Sequence, residues 1–225
     1  MALLNDDVKK KAARVLEGIT GPVKLVVFTQ EMECPTCREN RSLAEEVGTL
    51  SDKLSVEVYN LQIDRDKAEE YRVDRVPTIC VVGDRDHGIR LHGIPSGYEF
   101  TSLLAAIDMV GKGESKLKPA TKEKLAGLEK DIDIQVFVTL TCPYCPMMVT
   151  LAHRFAYESD RVTAAVVDAG EFPQLANLHQ VMAVPKTVIN RTVSFEGAAP
   201  EEKLLEHVLE AAAGDEKPGE EEKKD

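Results

Sequence analysis

Residues 140–148 read LTCPYCPMM, in which Cys142 and Cys145 enclose Pro143 and Tyr144. The stretch follows IDIQVFV (132–138), a near-continuous apolar run of strand length, and leads into MMVTLAHRFAYES, which reads as a helix. A cysteine pair at such a junction reads as a metal clip, a structural disulfide or a reactive redox pair. The same junction occurs upstream: VKLVVFT (23–29) runs into ECPTCREN (33–40), with Cys34 and Cys37 enclosing Pro35 and Thr36. Both cysteine pairs, and the dipeptides Val76-Pro77 and Val184-Pro185, are related by one offset of 108 residues. Three landmarks with a single offset define an internal repeat.

Each half carries the same order of elements. In the first, the 23–29 strand and its following helix lead to LSVEVYNLQI (54–63), which alternates as a strand. A short helix, DKAEEYRV (66–73), precedes the strand VPTICVVG (76–83), whose proline stands at its start where a missing N–H is tolerated. IRLHG (89–93) is a further strand, and YEFTSLLAAIDMVGKG closes the half as an amphipathic helix. The second half repeats this through RVTAAVVDA, EFPQLANLHQV, VPKTVIN, TVSFEG and PEEKLLEHVLEAAAG. The order βαβαββα predicts an α/β fold of two tandem units, each a mixed four-stranded sheet with helices on both faces. Extra helical segments open the halves, DDVKKKAARVLEGI at the start and TKEKLAGLEKDI at 121–132. The division falls at 1–115 and 116–213, with an acidic, aromatic-free tail at 214–225 that reads as disordered.

The position of each pair favours redox chemistry. Where a buried strand gives way to a helix, the first cysteine falls at or beside the helix N-terminus. There, unpaired N–H groups and the helix dipole stabilise a thiolate. Pro35 and Pro143 suit a first helical turn. Cys34 and Cys142 are then the attacking thiolates, and Cys37 and Cys145, one turn on, resolve the mixed disulfide. A zinc site drawing on all four cysteines is disfavoured by the 104 residues between Cys37 and Cys142, since zinc ribbons separate their pairs by about 15–20. A permanent disulfide over so small a loop constrains the unfolded chain little. Pro77 and Pro185 each stand 43 residues after their first cysteine, as cis docking edges or as ordinary trans edge prolines.

A strand, a CxxC, a helix and a Val-Pro before a hairpin resemble the thioredoxin fold, and CPYC resembles the glutaredoxin motif. Two such units in one chain, with CPYCP followed by AHRFA and VMAVPKTVIN, resemble the protein disulfide oxidoreductases of thermophilic prokaryotes. The resemblance implies thiol–disulfide exchange on protein disulfides and dithiols, cis Pro77 and cis Pro185 facing their cysteine pairs, and no tightly bound cofactor. It also implies electrons from a thioredoxin-reductase-like flavoprotein. Two positions depart from the wider pattern. Phe28 and Val136 stand where thioredoxins carry a buried aspartate. Gly93-Ile94-Pro95 and Gly197-Ala198-Ala199 replace the Gly-Gly-Asp with which glutaredoxins hold glutathione. The tandem region of the alkyl hydroperoxide reductase flavoprotein is built alike and offers an electron-relay alternative, but its first unit generally lacks the redox pair. A zinc-stabilised interaction module is the other alternative.

Other residues read as structural. Cys80, in TICVV, reads as a small core residue. Arg38 and Lys186 could bring positive charge to the pairs but read as solvated. His153 lies more than two turns beyond Cys145 and reads as packing or surface. Asp64, Asp66, Asp168 and Glu171 read as turn and cap residues. A net charge of -11 without a strong basic cluster argues against nucleic-acid and anionic-membrane partners. No apolar run reaches 18 residues, so the chain is expected to be soluble and cytoplasmic. Abundant Glu and Lys with few Asn and Gln lean toward a thermophile.

Overall fold

In the computed structural model, which describes residues 3–214, the apolar runs on either side of the repeat become the centre of one sheet. The first half contributes α1 (Asp6–Leu16), β1 (Val23–Thr29), α2 (Cys37–Gly48), β2 (Leu54–Asn60), α3 (Arg65–Glu70), β3 (Thr78–Val82), β4 (Asp86–His92) and α4 (Glu99–Lys112). The second contributes α5 (Pro119–Ala126), β5 (Ile132–Val138), α6 (Cys145–Glu158), β6 (Val162–Asp168), α7 (Pro173–Leu178), β7 (Lys186–Ile189), β8 (Val193–Glu196) and α8 (Glu201–Ala213). Within each half the strands pair as the element order predicts. β1 lies parallel to β2 and antiparallel to β3, which pairs antiparallel with β4. β5, β6, β7 and β8 repeat that pattern.

Two separate sheets are not what forms. β4 pairs in parallel with β6, in the register Ile89↔Ala164 to His92↔Val167, and fuses the halves into eight strands ordered β2-β1-β3-β4-β6-β5-β7-β8. Strand alternation sorts the apolar side chains. Leu25, Val27, Ile79, Val81, Ile89, Leu91, Ile134, Val136, Ala164 and Val166 face one continuous core shared with α1, α2, α4, α6 and α8. On the other face, Val26, Phe28, Cys80 and Val82 pack with α3, and Phe137, Val167 and Val188 pack with α7, as two smaller cores. β4 and β6 are buried along almost their whole length, whereas the outer strands β2 and β8 are only partly covered.

Two sequence expectations change in detail. The helix expected over 121–132 runs from Pro119 to Ala126, because Gly127 ends it with its N–H on the Lys124 carbonyl at 3.2 Å. Ile132 then starts β5, its N–H 2.7 Å from the Arg161 carbonyl. The acidic tail expected to be disordered lies outside the described residues from 215 onward. Among the described residues no helix is long and apolar enough to cross a membrane.

Candidate functional site

β1 and β5 point the same way, so the segments that leave their C-terminal ends, with both cysteine pairs, emerge along one edge of the sheet. Each pair is closed as a disulfide, with Cα atoms 5.4 Å apart for Cys34–Cys37 and 5.5 Å apart for Cys142–Cys145. In each pair the first cysteine is the more accessible: Cys34 is half-buried against a buried Cys37, and Cys142 is 8% exposed against 0% for Cys145. The helices start later than the sequence indicates. α2 begins at Cys37 and α6 at Cys145, so Pro35 and Pro143 belong to the turn that precedes each helix, and Pro146 takes the first-turn position in α6. The turn is closed in the first pair by the Cys37 N–H on the Cys34 carbonyl at 3.4 Å. In the second, the Cys145 N–H lies 3.2 Å from Cys142 Sγ. An N–H aimed at that sulfur stabilises negative charge on it.

The Val76–Pro77 and Val184–Pro185 peptide bonds are both cis. Cys142 Sγ lies 3.9 Å from the Val184 carbonyl oxygen, so the second pair and its Val-Pro meet. Pro77 and Pro185 are themselves buried, and their carbonyls accept from Gly93 at 2.9 Å and Gly197 at 2.8 Å.

The surroundings of the pairs differ. Beside the second stand exposed apolar side chains: Tyr144, Met147 and Met182, the last 87% exposed. Near the first, the segment before Pro77 carries an Asp74–Arg75 ion pair of 2.6 Å. A cleft of about 630 Å³ separates Asp74 and Arg75 from Glu171, Phe172 and Leu175 of the second half. Thr36, inside the first pair, donates to Glu171. That contact is invisible in the sequence, where Glu171 reads as a turn residue.

Buried carboxyls sit at the seam and not at Phe28 or Val136, both of which are apolar core. Glu99, at the start of α4, is 2% exposed, and burial pushes its carboxyl up to about 7. Asp168, at the end of β6, is also raised by burial, against the N–H of Gly170. His153 is buried in α6 and pushed down to about 4 by burial. Burial raises the Cys80 thiol to about 12. Arg38 is exposed, and Lys186 places its Nζ on the Gln180 carbonyl at 3.0 Å.

The pairs do not converge on a common centre. β1 and β5 are four strand spacings apart in the sheet, about 19 Å at the usual interval. Among the described residues no three His, Cys, Asp or Glu side chains group as a metal site requires.

Comparison with solved structures gives the decisive likeness. A protein disulfide oxidoreductase from Aeropyrum pernix K1 superposes with a TM-score of 0.88 at 34% identity, over 92% of this chain and 93% of that one. The chain belongs to the protein disulfide oxidoreductase family. A family model described as a thioredoxin domain matches residues 132–210. The N-terminal domain of the alkyl hydroperoxide reductase AhpF of Enterococcus faecalis is also similar, with a TM-score of 0.85 at 26% identity over 91% of this chain and 99% of that one. Among curated proteins, the alkyl hydroperoxide reductase AhpF of Xanthomonas campestris pv. phaseoli is 27% identical over 90% of this chain. The chain spans 36% of that relative's length.

Proposed function

We propose that the chain is a thiol–disulfide oxidoreductase acting on protein disulfides and dithiols through its two CxxC pairs. The carrying observation is that each pair leaves the end of a central buried strand with its first sulfur more accessible than its second. In reduction, the thiolate of Cys34 or Cys142 attacks one sulfur of a substrate disulfide, and the other substrate sulfur departs as a thiolate. Cys37 or Cys145 then attacks the mixed disulfide, releasing the second substrate thiolate and closing the CxxC disulfide. Two electrons pass to the substrate, and oxidation is the same sequence reversed. Thr36, Pro35, Tyr144 and Pro143 shape the two turns, and Pro77 and Pro185 present the edges along which an extended substrate segment docks. The apolar side chains at the second pair suit it to exposed apolar polypeptide.

In this reading the chain divides at 1–115 and 116–213, works in the cytoplasm, and is returned to the dithiol state by a thioredoxin-reductase-like flavoprotein. Reducing conditions in that compartment keep such pairs cycling. The likeness to the alkyl hydroperoxide reductase AhpF proteins favours a second reading, a relay dedicated to one peroxide-reducing partner. Reduction of insulin with dithiothreitol as electron source tests the main reading. The wild-type chain is expected to precipitate insulin and the Cys34→Ser/Cys142→Ser chain to be inactive. Full activity in the double variant would overturn the proposal, and an inactive wild type that still passes electrons to a peroxidase would favour the relay.

A further inference from the structure

Glu171 belongs to the second half by sequence, yet both oxygens of its carboxylate are engaged by the first. Oε1 accepts from the Ile94 N–H at 2.7 Å, and Oε2 accepts from the Thr36 hydroxyl. Thr36 is the N-cap residue of α2 and stands directly before Cys37. A threonine there ordinarily turns its oxygen onto an N–H two or three residues ahead. Thr36 makes no such bond; its hydroxyl is directed to Glu171 instead. Close packing holds the carboxylate in place. Gly93 has φ +101°, and a Cβ there would come within 2.8 Å of Asp168 Cβ and 3.4 Å of Glu171 Oε1, so only a glycine lets the halves approach this closely. The corresponding residue of the second pair, Tyr144, is exposed and makes no capping bond.

We infer that Glu171 is a positioning residue which the second half contributes to the first pair: it orients Thr36 and sets a negative charge two residues from Cys34, making Cys34–Cys37 the more reducing of the two pairs. A carboxylate near a sulfur disfavours the thiolate, and a destabilised thiolate disfavours the reduced form. The other charged groups around this point are Glu31 and Glu33 before Cys34, Arg38 and Glu39 in the first turn of α2, Asp168 beneath, and the Asp74–Arg75 ion pair across the cleft. None of them accepts from Thr36. The inference rests on the redox reading but is tested without turnover.

The test follows thiolate absorbance against pH in the reduced Cys142→Ser/Cys145→Ser chain, where the Cys80 thiol, raised to about 12, stays silent through the range. Glu171→Gln keeps the shape and removes the charge. It is expected to lower the Cys34 ionisation by about half to one pH unit, and to shift the Cys34–Cys37 equilibrium with glutathione toward the dithiol by about three- to tenfold. Thr36→Val cuts the link from the other end and is expected to move the ionisation the same way by less. The two changes together are expected to move it no further than Glu171→Gln alone. In the Cys34→Ser/Cys37→Ser chain, Glu171→Gln is expected to leave Cys142 unmoved. An unmoved Cys34 in both variants, a shift of opposite sign, additive shifts, or an equal shift at Cys142 would each overturn the inference. Thr36→Val alone decides the matter if the Gln variant does not fold. Loss of insulin reduction by the wild type would defeat the redox reading and leave this titration intact.

Discussion

Replacing Glu99 by glutamine is expected to stabilise the protein increasingly as pH rises. Glu99 lies under the seam, one residue after Tyr98, whose N–H donates to the Leu140 carbonyl at 3.1 Å. Burial raises its carboxyl from 4.5 to about 7; the neighbouring Ser102 hydroxyl, which lacks hydrogen-bond geometry to it, opposes that rise, and the Asp168 charge adds to it. Below the unfolded value both states carry the proton and nothing is lost. Between the two values the folded chain holds a proton that the unfolded chain has released, so stability falls by about 1.4 kcal/mol per pH unit. Above the folded value the full penalty of about 3 kcal/mol is present. Glutamine does not titrate, and any constant effect of its amide cancels when the two proteins are compared across pH. Guanidinium unfolding of both proteins, with both pairs oxidised, is expected to show the advantage of Glu99→Gln growing by about 2.5 kcal/mol from about pH 5 to about pH 8. A difference that stays flat over that interval would refute the assignment of a buried, proton-holding carboxyl at this position.

Gly97 has φ +57°, and a Cβ there would overlap the Leu140 carbonyl oxygen. Gly97→Ala is therefore expected to lower stability by about 1–3 kcal/mol in the same unfolding experiment. A neutral result would mean that the loop before the second pair yields at no cost. Cys80, fully buried and raised to about 12, is expected to be silent to a thiol reagent in the native oxidised protein and to react once per chain after unfolding. Native reaction at a comparable rate would show that the sheet opens around β3.

The repeated junction of apolar strand, cysteine pair and helix is legible because each part depends on residues close in sequence. A continuous apolar run cannot remain at a surface, and two cysteines three positions apart across a turn are brought within bonding reach by local geometry. The common offset to Val76-Pro77 and Val184-Pro185 ties distant segments to the same unit. Helix starts are less legible: Pro35 and Pro143 fit either a first helical turn or the turn before it, and backbone bonding at Cys37 and Cys145 favours the latter. Glu171 reads as a turn residue because its local neighbours, the Asp168–Gly170 turn and the start of α7, account for a carboxylate without reference to Thr36.

By itself the sequence determined two α/β halves, the paired cysteines at their strand ends and the prolines that accompany them. Only the tertiary structure decided that β4 and β6 pair, and with that pairing came the shared core, the burial of Glu99 and the reach of Glu171 to Thr36. The near-complete burial of both strands marks them as interior, and the apolar TAAVV of β6 carries part of that signal. Their register has no comparable signature, because a parallel ladder is made by backbone N–H and C=O groups that every residue supplies. What selects the partner is the fit of whole surfaces more than seventy residues apart in the chain, here sealed where Gly93 lets Asp168 and Glu171 approach.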